Sequence, residues 1–387
     1  MRRIAVLTGT RADYGLLKPL IGVLEKDDRV QVQLIVSGSH LSEAHGDTVQ
    51  EIVADGHSIA ARIPVWSGDD SSLGAATDTG AALGAYASVL DSLRPDIVVL
   101  LGDRLEALAM ALAATVLGVP VAHIHGGELT EGAMDDALRH AITKLAHLHF
   151  TTTDEHRARV LQLGEQPDRV YNLGAPVLDA IETLEFLDAE QIRERFGATV
   201  DRSTVLLTFH PAAFDPVPSS ELLWMLLGAL DEAEGIRLIV TGTNSDIGSD
   251  SVREQLIRFV EQRDWVDYVE SFGQLAYLST MRLAGLVVGN SSSTVLEAPL
   301  LGIPSVLVGD RQHGRPVSAS VLTPEPQKAA IAAAIERGLS SEFRESSTAD
   351  GSVFGAPGFA ARAAEILATA QLDIPPRKTF SDQSRTT

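Results

Sequence analysis

The stretch HIHGGELTEGAMDDALRHAITKLAH, residues 123–147, sets four histidines and a Gly-Gly pair between the end of one strand and the body of one helix. Ahead of it stand two short apolar, β-branched runs, Ile97–Leu101 (IVVLL) and Val119–Ile124 (VPVAHI), which read as buried strands. The first runs into Gly102-Asp103-Arg104, the second into His125 and the two glycines. In open α/β sheets, ligands sit outside the carboxyl ends of parallel strands, so two neighbouring strands ending in polar residues predict the floor of a reaction site. The chemistry of that site has to be argued from its residues, because a fold alone names no reaction.

Working outward, the same alternation recurs. Residues 3–8 (RIAVLT) read as a strand, followed by the loop Gly9–Gly15 and an apolar helix over 16–24. A second strand is expected at 32–37, a polar loop at 67–80 (SGDDSSLGAATDTG) and a helix at about 81–93. Beyond the central stretch come strands at 149–152 and 170–173 around a helix at 155–163, then Gly174-Ala175-Pro176 as a domain junction. The second half repeats the rhythm. Strands are expected at 204–209, 237–241, 286–288 and 305–308, helices at 220–233 and 251–263, and Ala-rich helices at 329–339 and 358–370. There is no short tandem repeat; the likeness is of two α/β halves. The expected division is 1–175 and 176–357, with the 358–370 helix after them and a Pro-, Ser- and Thr-containing tail at 374–387 read as disordered.

Length and composition agree. A chain of 387 residues suits two domains of roughly 150–200 each. Hydrophobic content of 45% predicts a large core, yet no apolar run reaches the ~18 residues of a membrane span. The opening MRRIAVLTGT is a first strand, not a signal peptide, since its apolar run covers only 4–7. Zero cysteines exclude disulfides and thiolate metal sites and fit a cytoplasmic protein. A net charge of −21 argues against nucleic-acid and anionic-membrane partners, so an anionic substrate would need Arg and His concentrated locally.

Three carboxylates, Asp103, Glu128 and Asp135, fall on loops and helix starts beyond the two central strands. Taken singly they read as capping acids; brought together, their like charges would raise some pKa values and make usable acids or bases near neutral pH. Asp135 and Arg139, at i and i+4, sit at the edge of the apolar face marked by Leu138, Ile142 and Leu145, and read either as a surface ion pair or as crevice lining. His125 and His140 could titrate there, whereas His123, inside an apolar strand, reads as a hydrogen-bonded core residue. No HExxH-like spacing is present, and no metal site is assigned. In the second half, His210 follows a strand end, and the loop 289–293 (GNSSS), with Asn290, Ser291 and Ser292, opens a helix expected near Thr294. Small residues there either bind a diphosphate or cap the helix. Glu297 suits a vicinal diol such as a ribose, or a favourable first-turn acid. Arg311 lies in GDRQHGR at 309–315, and Arg11 between two glycines after the first strand.

GTRADYG at 9–15, LGDR at 101–104, HIHGGE at 123–128, DDALRHAITKLAHLHF at 135–150, QLGE, FHP, GNSSS, EAP and GDRQHGR resemble, in order, the hydrolysing UDP-N-acetylglucosamine 2-epimerases over about residues 3–322. The resemblance implies a GT-B-like architecture: two Rossmann-like doubly wound parallel-sheet domains with a cleft between them, and a last helix, 358–370, crossing back to the first. It places Asp103, Asp135 and Arg139 at sugar-side catalytic positions, and Arg11, His210, Ser291, Ser292, Glu297 and Arg311 at nucleotide positions. Related epimerases often carry Glu where this chain has His125, which leaves either His125 or Glu128 as the acid/base.

The implied reaction removes the C2 proton while UDP leaves C1, then adds water to the resulting glycal with inversion at C2. It needs no cofactor. The implied partners are the nucleotide sugar and further copies of the chain, as homodimer or homotetramer. A non-hydrolysing 2-epimerase, a GT-B glycosyltransferase and a nucleotide-sugar-binding regulator are the competing expectations. HGGE and GDRQHGR favour the hydrolysing branch.

Overall fold

The computed structural model describes residues 1–42, 47–65, 67, 69, 71–129, 134–182, 184–212, 216–243, 249–349, 353–372 and 377–382. The chain begins β1 (Arg2–Thr8), α1 (Arg11–Glu25), β2 (Val30–Ser37), α2 (Val49–Ala54), β3 (Ile59–Ile63), α3 (Ser72–Leu93) and β4 (Ile97–Leu101). It continues α4 (Leu105–Leu117), β5 (Val121–Ile124), α5 (Met134–Leu145), β6 (Leu148–Thr151), α6 (Asp154–Gln162), β7 (Val170–Asn172) and α7 (Pro176–Glu182). Next come α8 (Ala189–Phe196), β8 (Thr204–Thr208), α9 (Ser219–Asp231), β9 (Arg237–Thr241), α10 (Ser249–Val260), β10 (Val266–Val269) and α11 (Gly273–Leu283). The last elements are β11 (Leu286–Gly289), α12 (Glu297–Leu300), β12 (Ser305–Leu307), β13 (Val321–Leu322), α13 (Lys328–Leu339), α14 (Ser341–Ala349) and α15 (Phe359–Thr369).

Two compact units result: unit 1 is residues 1–183 with 354–387, and unit 2 is residues 184–353. Among the described residues, unit 1 carries a seven-stranded sheet in the order β3-β2-β1-β4-β5-β6-β7, and unit 2 a six-stranded sheet in the order β10-β9-β8-β11-β12-β13. Every pairing is parallel. Each sheet reverses its direction of growth at its first strand, so each has a switch point, at β1/β4 and at β8/β11, where an open parallel sheet presents a crevice.

The strands read as unbroken apolar runs because both faces are covered. In β1, Ile4 and Val6 enter the core with Leu17, Leu20 and Leu24 of α1 and Leu367 of α15. Ala5 and Leu7 point the other way, into a core with Tyr86 of α3 and Met110 of α4. Each large side chain so buried stabilises the unit by about 1.5–3 kcal/mol relative to exposure.

Four expectations need correction. The loop expected over 9–15 ends at Thr10, whose hydroxyl caps α1 by accepting the Asp13 N–H at 3.2 Å, so Arg11 is already helical. The stretch 67–80 is not wholly a loop, because α3 starts at Ser72. The Ser71 hydroxyl caps it by accepting the Gly74 N–H at 3.0 Å, and the Thr77 and Thr79 hydroxyls donate back to the Leu73 and Ala75 carbonyls at 2.8 and 2.7 Å. Backbone-satisfying side chains, not apolar periodicity, make this turn helical. The chain leaves unit 1 after residue 183 rather than 175, since α7 belongs to unit 1. There the buried Asp179 carboxylate accepts the N–H groups of Gly358, Phe359 and Ala360 at 2.5, 3.2 and 2.6 Å, capping α15. Within the tail, residues 377–382 lie against unit 1, with the Ser381 N–H donating to the Gly164 carbonyl at 2.8 Å. Residues 374–376 and 383–387 fall outside the described residues.

Candidate active site

At the carboxyl end of β4, Gly102 takes a left-handed φ of 75°, which turns the chain so that Asp103 projects beyond the sheet before Arg104 opens α4. At the end of β5, His125 holds φ 69°, a conformation that costs a non-glycine residue energy and that clusters at functional sites. The Gly-Gly pair has a steric reason. A Cβ at Gly126 would crowd the Thr143 hydroxyl and the His123 ring, and one at Gly127 would overlap the His156 carbonyl.

The buried Arg139 guanidinium ties these loops together. It donates to the Asp103 carboxylate, to the Glu128 carbonyl at 3.0 Å and to Asp136 at 3.5 Å. The i, i+4 surface pair with Asp135 is therefore not its role; Arg139 is 3% exposed and faces Asp103. Asp135 instead shares with Asp103 the wall of a cavity of about 400 Å³, together with Arg104, Glu106, Leu105, Met134 and Leu138, and with Val65, Asp69, Ala75, Asp78, Thr79 and Ala82 from β3–α3. Desolvation pushes the Asp135 carboxyl up, with the Asp103 charge adding to it. Carboxyl groups crowded on one wall repel one another's charge, which is how such a group becomes usable in acid/base work.

His125 and Glu128 are not among the residues lining that cavity; Arg139 links them to it through the Glu128 carbonyl. His125 Nδ1 lies 3.8 Å from Glu128 Oε1, and Nε2 is buried without a hydrogen-bond partner among the described residues. Glu128 Oε1 accepts from the Thr152 hydroxyl at 3.2 Å. His140 lies 3.5 Å from Asp136, and burial lowers its pKa. His123 is the core residue expected. Gly102 O accepts its Nε2–H at 2.7 Å, so its Nδ1 accepts from the Thr143 hydroxyl at 3.1 Å. Burial lowers its pKa to about 3. Arg11, in the first turn of α1, is half exposed and paired with Glu51 at 3.0 Å.

Unit 2 builds its own constellation at the β8/β11 switch point. The fully buried Asn290 accepts the His210 N–H and donates to the His210 carbonyl, both at 2.8 Å. Its own carbonyl accepts from Arg311 at 3.4 Å and from Gln312 at 3.0 Å. The Asn290 side chain is thus committed to the backbone and shapes the site instead of facing a ligand. The helix expected near Thr294 is a 3-10 turn, Ser292–Thr294, followed by the single turn of α12. The Ser291 hydroxyl caps the 3-10 turn by accepting from the Ser293 N–H, and Ser292 stays half-buried. Glu297 carries a buried Oε2 without a hydrogen-bond partner among the described residues, and desolvation raises its pKa. An unpaired carboxylate oxygen of this kind can accept a sugar hydroxyl. The loop 309–315 lines a second cavity, of about 440 Å³, within unit 2.

Sequence reading missed Glu106 in the first cavity. It also missed Gln312, and Tyr277, whose hydroxyl bonds Thr208 at 2.9 Å and Ser293 at 2.8 Å. Gln312 adjoins Arg311, and Glu106 stands three places beyond Asp103. Tyr277 sits on α11, a helix with no expectation attached.

Comparison with known proteins shows the family. The family model described as UDP-N-acetylglucosamine 2-epimerase matches residues 23–368, and the chain belongs to that family. It is 34% identical over 322 residues to the Legionella pneumophila UDP-N,N'-diacetylbacillosamine 2-epimerase (hydrolyzing), covering 83% of this chain and 85% of that protein. It is 32% identical over 345 residues to the Campylobacter jejuni GDP/UDP-N,N'-diacetylbacillosamine 2-epimerase (hydrolyzing), covering 89% of each. The crystal structure of the Neisseria meningitidis UDP-GlcNAc 2-epimerase bound to UDP-GlcNAc superposes with a TM-score of 0.79 at 19% identity, over 95% of this chain and 99% of that one. The fold is accordingly GT-B-like, and the chain is an enzyme of the 2-epimerase type. Among the described residues, no helix is long and apolar enough to cross a membrane.

Proposed function

We propose that this enzyme is a hydrolysing 2-epimerase that takes a UDP-linked 2-acetamido sugar to the free 2-epimer and UDP. The observation that carries the reading is the wall shared by Asp103 and Asp135, with Arg139 fastening Asp103 to the loop of His125 and Glu128. Loss of the C2 proton sends the C2–H electron pair into a C1=C2 double bond as the C1–O bond breaks and UDP departs. Water then gives its oxygen to C1, and a proton returns to C2 on the opposite face. Positive charge developing at C1 is stabilised by the Asp103 and Asp135 carboxylates. His125 is the proton carrier: its buried Nε2 has no partner among the described residues, and Glu128 stands beside Nδ1. In unit 2, His210, Ser291, Ser292 and Arg311 hold the diphosphate, Asn290 sets their geometry and Glu297 accepts the ribose hydroxyls.

The first cavity also bears on the sugar. Its wall carries Val65, Ala75, Ala82, Leu105, Met134 and Leu138 beside its charged groups. Those side chains give methyl-bearing substituents a surface to pack on, and the two relatives above are named for a diacetylated sugar, so a 2,4-diacetamido-2,4,6-trideoxy sugar is the substrate we put first.

Incubation with UDP-N-acetylglucosamine and with the UDP- and GDP-linked diacetamido sugars, followed by assay of free nucleoside diphosphate, tests the reading. We expect UDP release with the larger kcat/KM for the UDP-diacetamido sugar, and deuterium at C2 when the reaction runs in D2O. Epimerised sugar still attached to UDP would make the enzyme non-hydrolysing. Transfer only in the presence of an acceptor would make it a glycosyltransferase. Assembly as a homodimer or homotetramer in the cytoplasm is the accompanying proposal, and light scattering decides the oligomer.

A further inference from the structure

Lys378 stands in the C-terminal segment 377–382, outside every residue assigned a role above. Its Nζ donates to the carbonyls of Thr143 at 3.1 Å, Lys144 at 2.7 Å and Ala146 at 2.5 Å. These close the C-terminal end of α5, where carbonyls lose their intrahelical partners, Thr143 keeping only the Ala146 N–H at 3.2 Å, and where the helix dipole favours a cation. Lys378 is itself anchored, 2.7 Å from Glu165, a carboxylate only 3% exposed. Glu165 also takes Lys144 at 2.6 Å and His149 at 3.0 Å, so it stays paired whatever happens at Lys378.

The backbone of the segment is held independently. Gln166 Nε2 donates to the Thr379 carbonyl at 3.2 Å and to its hydroxyl at 3.0 Å, and Ser381 bonds Gly164. The Phe380 ring lies over Gly164 where any Cβ would overlap it. Residues 377–382 are thereby built onto the loop Leu163–Gln166, with one cation reaching under α5.

α5 matters because of its other end. Asp135 and, one turn in, Arg139 stand there, and a 12-residue helix is a rod about 18 Å long. We propose that Lys378 is a positioning residue for the reaction: by seating the C-terminal end of α5 it fixes the placement of Asp135 and Arg139 at the cavity. The proposal rests on the reading of those two residues as catalytic. A displacement of about 1 Å at reacting groups can cost ~100-fold in rate, so a partial loosening of one helix end is enough to be measured.

The test compares full-length Lys378→Met and Lys378→Arg with the parent enzyme. It uses the UDP-sugar that the parent turns over, together with hydrogen exchange of the α5 amides. For Lys378→Met we expect kcat to fall about tenfold with KM within about twofold, the pattern of disturbed positioning rather than lost binding. Faster exchange should be confined to residues 134–145. Lys378→Arg, which keeps a cation able to reach the same carbonyls, should restore kcat to within about threefold of the parent. Unchanged kcat and unchanged α5 exchange in Lys378→Met would overturn the proposal. So would faster exchange spread evenly over unit 1, or a kcat loss that arginine does not rescue. If the parent frees no nucleoside diphosphate from any of the three sugars, the functional reading fails instead, and exchange in α5 still decides whether Lys378 seats the helix.

Discussion

A single guanidinium does more in unit 1 than its position in the sequence suggests. Arg139 looked like half of an i, i+4 ion pair, yet it is buried and spans two loops, from Asp103 to the Glu128 carbonyl. Helical spacing gives the neighbours along one helix; it says nothing of a carboxylate delivered by another strand 36 residues earlier. Asp103 was legible as a cavity residue because it follows a predicted strand end, and Asp135 because it starts the helix after the next strand. Tyr277 was not, because its two hydroxyl contacts are tertiary. Two predictions belong at this scale. Asp103→Asn and Asp135→Asn should each lower kcat by at least ~100-fold while calorimetric UDP affinity stays within about threefold. Glu297→Ala should instead weaken UDP binding about tenfold or more, the cost of removing a buried acceptor from a hydroxyl pair. The opposite pattern would exchange the roles of the two units.

Most central strands were legible from their apolar runs, whereas α4, apolar nearly throughout, was passed over for want of a periodic face, and other turns were lost where side chains rather than periodicity decide. The β4 and β5 strands and the start of α15 fell within a residue or two of their predicted places. The first turns of α3 were lost inside a Ser-, Asp- and Thr-rich window, although Ser71 at the cap and the two threonines account for them. β3, β10 and α11 went unpredicted because each mixes polar and apolar residues over a short span. The α15 cap could not be seen at all: Asp179 precedes the N–H groups it serves by about 180 residues. Asp179→Ala should leave those donors without their carboxylate and cost about 1–2 kcal/mol. In a unit of this size that lowers Tm by roughly 2–8 °C in scanning calorimetry. An unchanged Tm would mean that α15 is held by its apolar face alone.

At the scale of the whole molecule, neutral buried histidines set the response to acid. His40, between the Thr8 and Thr48 hydroxyls, has its pKa lowered by burial to about 4, and His123 to about 3, against about 6.5 when unfolded. The unfolded chain therefore binds these protons first as pH falls. Stability is complete above about 6.5 and is lost toward 4 at ~1.4 kcal/mol per pH unit for each histidine. Glu165, held down to about 2 chiefly by His149 and the two lysines against its own desolvation, adds to the loss below about 4.5. Tm measured from pH 7 to 4 should fall steeply, and a flat profile would contradict the buried, neutral assignment.

Unit 1 is discontinuous in the chain, since α15 and the 377–382 segment arrive only after residues 184–353 have been made. At ribosomal rates of ~5–20 residues per second, that interval is roughly 10–30 s. Throughout it, the nascent first sheet must expose the apolar patch that Phe359 and Leu367 will later cover, beside Phe150 and Leu20. Synthesis order therefore makes this face the natural landing place for a holding chaperone, and a ribosome stalled before residue 354 should present it longest.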